Sequence, residues 1–170
     1  LEICEKNEGY LTSVDVEDCS KVSDSDRWKF IHSRDDDFSL IRNNINKELD
    51  VIFIDTLHEA DHVEKIIYGY YDLLKVGGYL FIDDISHLPY LTDKPRNNFY
   101  CEINNKETFE KIIEIYSSNT DKFDLNFNFL SSGLATLKKK NKNDLDKSKK
   151  ILDRKLTLKN LYRKFKQIRK

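Results

Sequence analysis

Two apolar runs that each stop on aspartate constrain this chain most: VIFID (51–55) and YLFIDD (79–84). Between them lies HVEKIIYGYYDLLK (62–75), in which Val63, Ile66, Ile67, Tyr70 and Leu74 recur at helical spacing. A strand, a helix and a second strand in that order form a crossover unit, which makes the two strands parallel. Continuous apolar strands of this kind suit a sheet covered on both faces. Other segments extend the alternation. TSVDV (12–16) and WKFIHS (28–33) read as strands, and FSLIRNNINKEL (38–49) as a short helix. ETFEKIIEIYSS (107–118) reads as a further helix that turns Phe109, Ile112, Ile113 and Tyr116 inward. Gly77-Gly78 reads as the stop of the 62–75 helix. FDLNFNFL and LATLKKK flank Ser131-Ser132-Gly133 as an antiparallel hairpin. The expectation is an α/β fold: an open, doubly wound, mostly parallel sheet with a C-terminal antiparallel hairpin.

Charge divides the chain where the hairpin ends. From Lys138 to Lys170 there are 15 Lys/Arg and three Asp, leaving 14 basic and 27 acidic residues in the other 137. The expected organisation is an α/β domain over 1–138 and a basic, helical tail over 139–170. Within LDKSKKILDRKLTLKNLYRKFKQIRK (145–170), Ile151, Leu158, Leu161, Phe165 and Ile168 fall roughly on one side. Such a helix lies on an anionic membrane, packs on a partner, or docks against the acidic body of its own molecule or a dimer mate. Nucleic acid ranks last, because no aromatic stacking platform accompanies the charge. No apolar run approaches the roughly 18 residues of a transmembrane span. Cys4, Cys19 and Cys101 are scattered and odd in number, which reads as reduced thiols in a cytoplasmic protein.

In open α/β sheets, ligands bind beyond the carboxyl ends of the strands. Asp15, Asp36, Asp55, Asp83 and Asp84 all stand at or just past such ends. Any one of them could cap a helix or start a turn. Several acids on one rim repel one another unless a cation or hydrogen-bond donors lie between them.

The order of elements, with VIFIDTLHEADHV, LLKVGGYLFIDD and SGLATLKK over roughly residues 10–138, resembles the class I S-adenosylmethionine-dependent methyltransferases, a Rossmann-like family. Its nearest likeness is to the sugar and macrolide O-methyltransferases and the cephalosporin-hydroxylase-like proteins. The resemblance implies S-adenosylmethionine as cofactor, with Asp15 on the ribose hydroxyls. It implies Ser33, Asp35 or Asp36 near the adenine, Asp36 favoured, with Asp55 also facing the cofactor. Asp55, Asp83 and Asp84 would bind Mg²⁺ or a similar divalent cation, and an all-oxygen set suits a hard ion. His58 would be the general base; its alternative is a loop histidine capping the 62–75 helix. His62 reads as an exposed helix residue. Residues 86–105 read as a substrate lid with Tyr90 and Arg96 as contacts, beside Phe99 and Tyr100, or as a variable surface loop. The family's first strand and glycine-rich turn have no match here, and the chain has no methionine even at position 1, so both are expected upstream of Leu1. The implied function is methylation of a hydroxyl on a sugar or other small polyol, in a possible homo-oligomer. The alternatives are a catechol-type O-methyltransferase and a non-catalytic, methyltransferase-like scaffold tethered by its basic tail.

Overall fold

The computed structural model describes residues 1–45, 47–88, 99–152 and 157–168, with the backbone alone for 99–102. The chain opens with a short helix, α1 (Glu2–Lys6), followed by β1 (Leu11–Asp15) and β2 (Trp28–His32). These two strands pair in parallel, Leu11 opposite Trp28 and Asp15 opposite His32. Helix α2 (Phe38–Asn44) starts where the Asp37 carboxylate accepts the Leu40 amide. It ends five residues before the sequence pattern suggests. Ile45 is already extended (φ −110°, ψ 108°), and β3 (Leu49–Ile54) takes over four residues later.

Helix α3 (Ala60–Tyr70) buries Val63, Ile66, Ile67 and Tyr70. A 3-10 turn (Tyr71–Leu73) carries it into β4 (Leu74–Asp83). Gly77 and Gly78 therefore sit within a strand and do not end the helix. At Gly77 the backbone is left-handed (φ +85°), and the β3–β4 register shifts between Leu49 and Val51. Between the pairs Leu49–Leu74 and Val51–Tyr79, β4 advances five residues against two in β3, and the glycine lets it bend around the excess. Beyond the bend the strands pair in parallel, from Val51 opposite Tyr79 to Ile54 opposite Ile82.

Helix α4 (Phe99–Ser117) starts well before the expected 107. Its inward face is Asn105, Thr108, Ile112 and Ile115, spaced by three and four, while Phe109, Ile113 and Tyr116 are only half-buried. The hairpin forms as expected: β5 (Phe123–Asn128) pairs with β6 (Leu134–Lys139), and β6 also pairs antiparallel with β4.

The strands form two sheets, β1–β2 and β3–β4–β6–β5. The expected single sheet is thus divided, because among the described residues no strand hydrogen-bonds both β1 and β3. On one face of the larger sheet, Ile54, Leu80, Ile82, Ala135 and Leu137 form the core with α3 and α4. The opposite face is not covered on the β3–β4 side as expected. There Val51 and Phe53 are 55% and 58% exposed.

The basic segment is not one helix. Residues 140–151 run without helix along α3 and α4, pinned at several points. Asn119 Nδ2 donates to the Asp146 carbonyl and its Oδ1 accepts the Asp146 amide. Tyr68 donates to the same carbonyl, Lys122 pairs with the Asp146 carboxylate at 2.9 Å, and Ser148 donates to Glu64. Among the described residues of this segment, α5 (Leu158–Ile168) alone is helical. Among the described residues no helix is long and apolar enough to cross a membrane.

Candidate functional site

β3 and β4 end side by side because they are parallel neighbours, so Asp55, Asp83 and Asp84 leave the sheet at one rim. Successive residues of a strand point to opposite faces, so an Asp-Asp pair cannot send both carboxylates the same way. The backbone sharpens the split. Asp84 is left-handed (φ 58°), a conformation Asp tolerates better than most residues. Asp83 Oδ1 accepts the Asp84 amide at 2.8 Å and the Ser132 hydroxyl at 2.8 Å, which ties it to the hairpin turn. The Asp84 carboxylate instead meets His58 Nδ1 at 2.9 Å.

Asp55, His58 and Asp84 each place a ligand atom within 4.8 Å of the others. The expected trio of Asp55, Asp83 and Asp84 is not the one that gathers: His58 stands where Asp83 was expected. Two carboxylates and an imidazole form a mixed oxygen and nitrogen set. It fits a divalent cation, but it departs from the all-oxygen sphere that Mg²⁺ prefers: the carboxylates suit a hard ion such as Mn²⁺ and the imidazole a borderline one such as Zn²⁺. A cavity of about 10 Å³ lies among Asp55, His58, Asp83, Asp84 and Thr108, room for one water or one ion. His58 does not cap α3, whose N-cap is Glu59 with no side-chain cap bond. A larger open groove, about 630 Å³, lies between α3 and α4. Its walls include Glu59, Asp61, Glu107, Glu110 and Glu114, and the carboxylate rim lies outside it.

The other half of the rim comes from β1 and β2. Asp15 is exposed at the end of β1, and its Oδ1 accepts the Glu17 amide at 2.8 Å. Ser33 follows β2 and donates its amide to the Asp15 carbonyl, so both stand at one strand end. The three aspartates after β2 divide three tasks. Asp37 caps α2. Asp36 is gripped by Arg34 (2.9 Å) and Lys65 (2.9 Å), and these hydrogen-bonded cations hold its carboxyl well below the ordinary carboxylate range. A carboxylate with two cationic partners has little capacity left for an adenine. Asp35 is the one turned toward the second half of the site. It accepts from the Thr56 hydroxyl, and His62 Nε2 lies 3.0 Å from both of its oxygens. The Tyr70 hydroxyl donates to the Asp35 carbonyl, and burial raises its pKa.

His62 is therefore no exposed helix residue; its side chain is 10% exposed. This link between the β2 and β3 loops was not read from sequence, and the only sequence signal for it was a histidine one turn into α3 facing an acid-rich loop. Tyr90 and Arg96, with most of the expected lid, lie outside the described residues, as do the side chains of Phe99 and Tyr100.

An α/β domain whose parallel strands deliver carboxylates and an imidazole to one rim belongs to the class that binds small ligands at the carboxyl edge of the sheet. Within that class, the chain belongs to the methyltransferase-domain family, whose model matches residues 1–85, half of the chain. Its fold is similar to that of the methyltransferase MycE of the mycinamycin biosynthetic pathway, solved in complex with Mg and SAH. The identity is 18% and the TM-score 0.55, with 79% of this chain and 38% of that chain covered. It is similar also to an SAH-bound methyltransferase from Podospora anserina, at 15% identity and a TM-score of 0.61, covering 81% and 63%. The chain thus spans less than two thirds of the length of either. No curated protein matches it in sequence.

Proposed function

We propose that this chain is the catalytic part of an S-adenosylmethionine-dependent O-methyltransferase that acts on a hydroxyl of a sugar or similar small polyol. The observation that carries the reading is the meeting of Asp55, His58 and Asp84 at the strand ends of a methyltransferase-family domain. S-adenosylmethionine supplies an electrophilic methyl group when bound. The exposed Asp15 carboxylate suits two vicinal hydroxyls, such as those of a ribose, and Ser33 stands beside it. Asp35, tied to Thr56 and His62, is better placed than Asp36 to face the cofactor side of the rim, because Asp36 is held by two cations.

His58 is the proposed base. An ionised carboxylate only accepts hydrogen bonds, so the contact with Asp84 fixes the proton on Nδ1. Nε2 is then left with a lone pair, which can take a proton from a substrate hydroxyl. The same three side chains would hold a divalent cation, a Lewis acid toward hydroxyl oxygens. Ligation and the His58–Asp84 hydrogen bond draw on the same groups, so His58 serves either as ligand or as base.

Calorimetry with S-adenosylmethionine tests the reading first. Binding is expected, and Asp15→Asn should weaken it by about 10- to 100-fold through loss of a charged acceptor. Transfer of labelled methyl groups to a panel of sugars should then fall by about 10²- to 10⁴-fold in His58→Ala with cofactor affinity unchanged. The alternative is a non-catalytic scaffold. Failure of the full-length gene product to bind S-adenosylmethionine would select it.

A further inference from the structure

We propose that α5 is a surface anchor that lays its apolar face on an anionic lipid bilayer. The helix reads LKNLYRKFKQI, and Leu158, Leu161, Tyr162, Phe165 and Ile168 recur at spacings of three, one, three and three, which places them on one stripe. Lys159, Arg163, Lys164 and Lys166 occupy the rest of the surface with no acidic residue among them. The wider segment 147–170 holds 11 Lys/Arg against Asp153 alone. None of α5 is buried: Leu158 is 86% exposed, Phe165 67% and Ile168 80%. Leu161 is 38% exposed and Tyr162 62%, so four of the five apolar side chains stand mostly in water, which is costly unless a second medium takes them up.

Charge and shape decide between the occupants. The groove between α3 and α4 already holds cations of its own: Lys150 stands on its wall and Lys111 pairs there with Asp61, Glu64 and Glu114, which leaves less negative charge for the lysines of α5. A second copy of α5 would cover the stripe while bringing two rows of like charge together. Nucleic acid would engage only the basic surface and leave the stripe in water. An anionic membrane takes both at once: the stripe enters the headgroup and acyl boundary, and the cations meet lipid phosphates and carboxylates. The chain is also built to present the helix. Residues 144–151 are pinned to α3 and α4, the Ile151 amide donating to Glu114, so the anchor leaves the body from a fixed point.

Co-sedimentation of the full chain with vesicles tests this. The chain should pellet with phosphatidylcholine vesicles containing phosphatidylserine, remain in solution with phosphatidylcholine alone, and lose binding as salt is raised. Leu161→Glu and Phe165→Glu should abolish pelleting with no change in melting temperature, since neither side chain belongs to the core. Lys164→Gln should weaken it about fivefold. Absence of pelleting, or equal pelleting on neutral vesicles, overturns the proposal. So does a random-sequence RNA shift that survives Leu161→Glu, or a dimer in sedimentation velocity that Leu161→Glu dissolves when no vesicle binding accompanies it.

Discussion

Gly133 and Gly77 have almost the same left-handed backbone, φ +87° and +85°, in opposite surroundings. A methyl group on Gly77 would meet nothing within 4 Å. On Gly133 it would stand 2.5 Å from the Ser86 nitrogen, 2.8 Å from its Cβ and 2.9 Å from its Cα, two of them backbone atoms that cannot swing aside. Gly77→Ala should cost the conformational penalty alone, about 1–2 kcal/mol. Gly133→Ala should cost that plus overpacking of about 1–3 kcal/mol, for a total of about 2–5 kcal/mol. The strain also has a direction. It pushes apart the hairpin turn and the segment after β4, which are joined by the Ser86 amide and the Ser132 carbonyl at 2.7 Å. Ser132 is the residue that holds Asp83, so the same substitution should loosen the rim. Urea unfolding of both variants, read as a shift in midpoint at constant slope, separates the two contributions. Equal losses in the two variants would refute the close-approach argument and leave only the dihedral cost.

Ile67 is fully buried beneath the larger sheet, and Ile67→Ala should lower stability by about 2–5 kcal/mol, measured by the same titration. The hydrogen bond from Arg42 holds the Asp72 carboxyl below its ordinary value. That depressed native pKa means the stabilisation is complete above about pH 4 and drains as pH falls through the native value. Asp72→Asn should therefore be less stable than the parent at pH 7 and converge with it in strong acid, seen as melting temperature against pH. Mn²⁺ titration should show Asp84→Asn weakened about tenfold or more and Asp83→Asn much less, whatever the activity of either. Equal losses would return Asp83 to the ligand set.

The sequence revealed most where apolar periodicity was strong. β3, α3, β4 and the hairpin were all legible because their apolar residues recur at strand or helix spacing, although β3 buries only Ile54 fully. Boundaries moved where local chemistry outweighed pattern. The apolar spacing through Ile45 and Leu49 continued past α2, yet β3 claimed Leu49. Gly77-Gly78 looks the same in a helix stop as in a strand bend, since both use a left-handed glycine. At the site, the sequence showed that acids crowd one rim but not which way each one turns. Asp83 and Asp84 are chemically identical, and they diverge through the strand's alternation and one left-handed residue. Asp35 and Asp36 are equally indistinct by type; Arg34 and Lys65 select one, Thr56 and His62 the other. Arg34 is a neighbour in sequence, but Lys65, Thr56 and His62 lie 29, 21 and 27 residues from the acids they hold, and no local spacing encodes those partners.

The position of β6 sets a schedule for the nascent chain. The last strand made lies between β4 and β5, so the edge of β4 stays open until Lys139 has been synthesised. From Asp83 to Lys139 is 56 residues, an interval of about 3–11 s at ordinary synthesis rates. During that interval Leu80 and Ile82, which end fully buried, stand beside an unpaired backbone ready to take any passing strand. Chaperone demand during synthesis should therefore peak before the hairpin emerges and fall once Leu134–Lys139 has inserted.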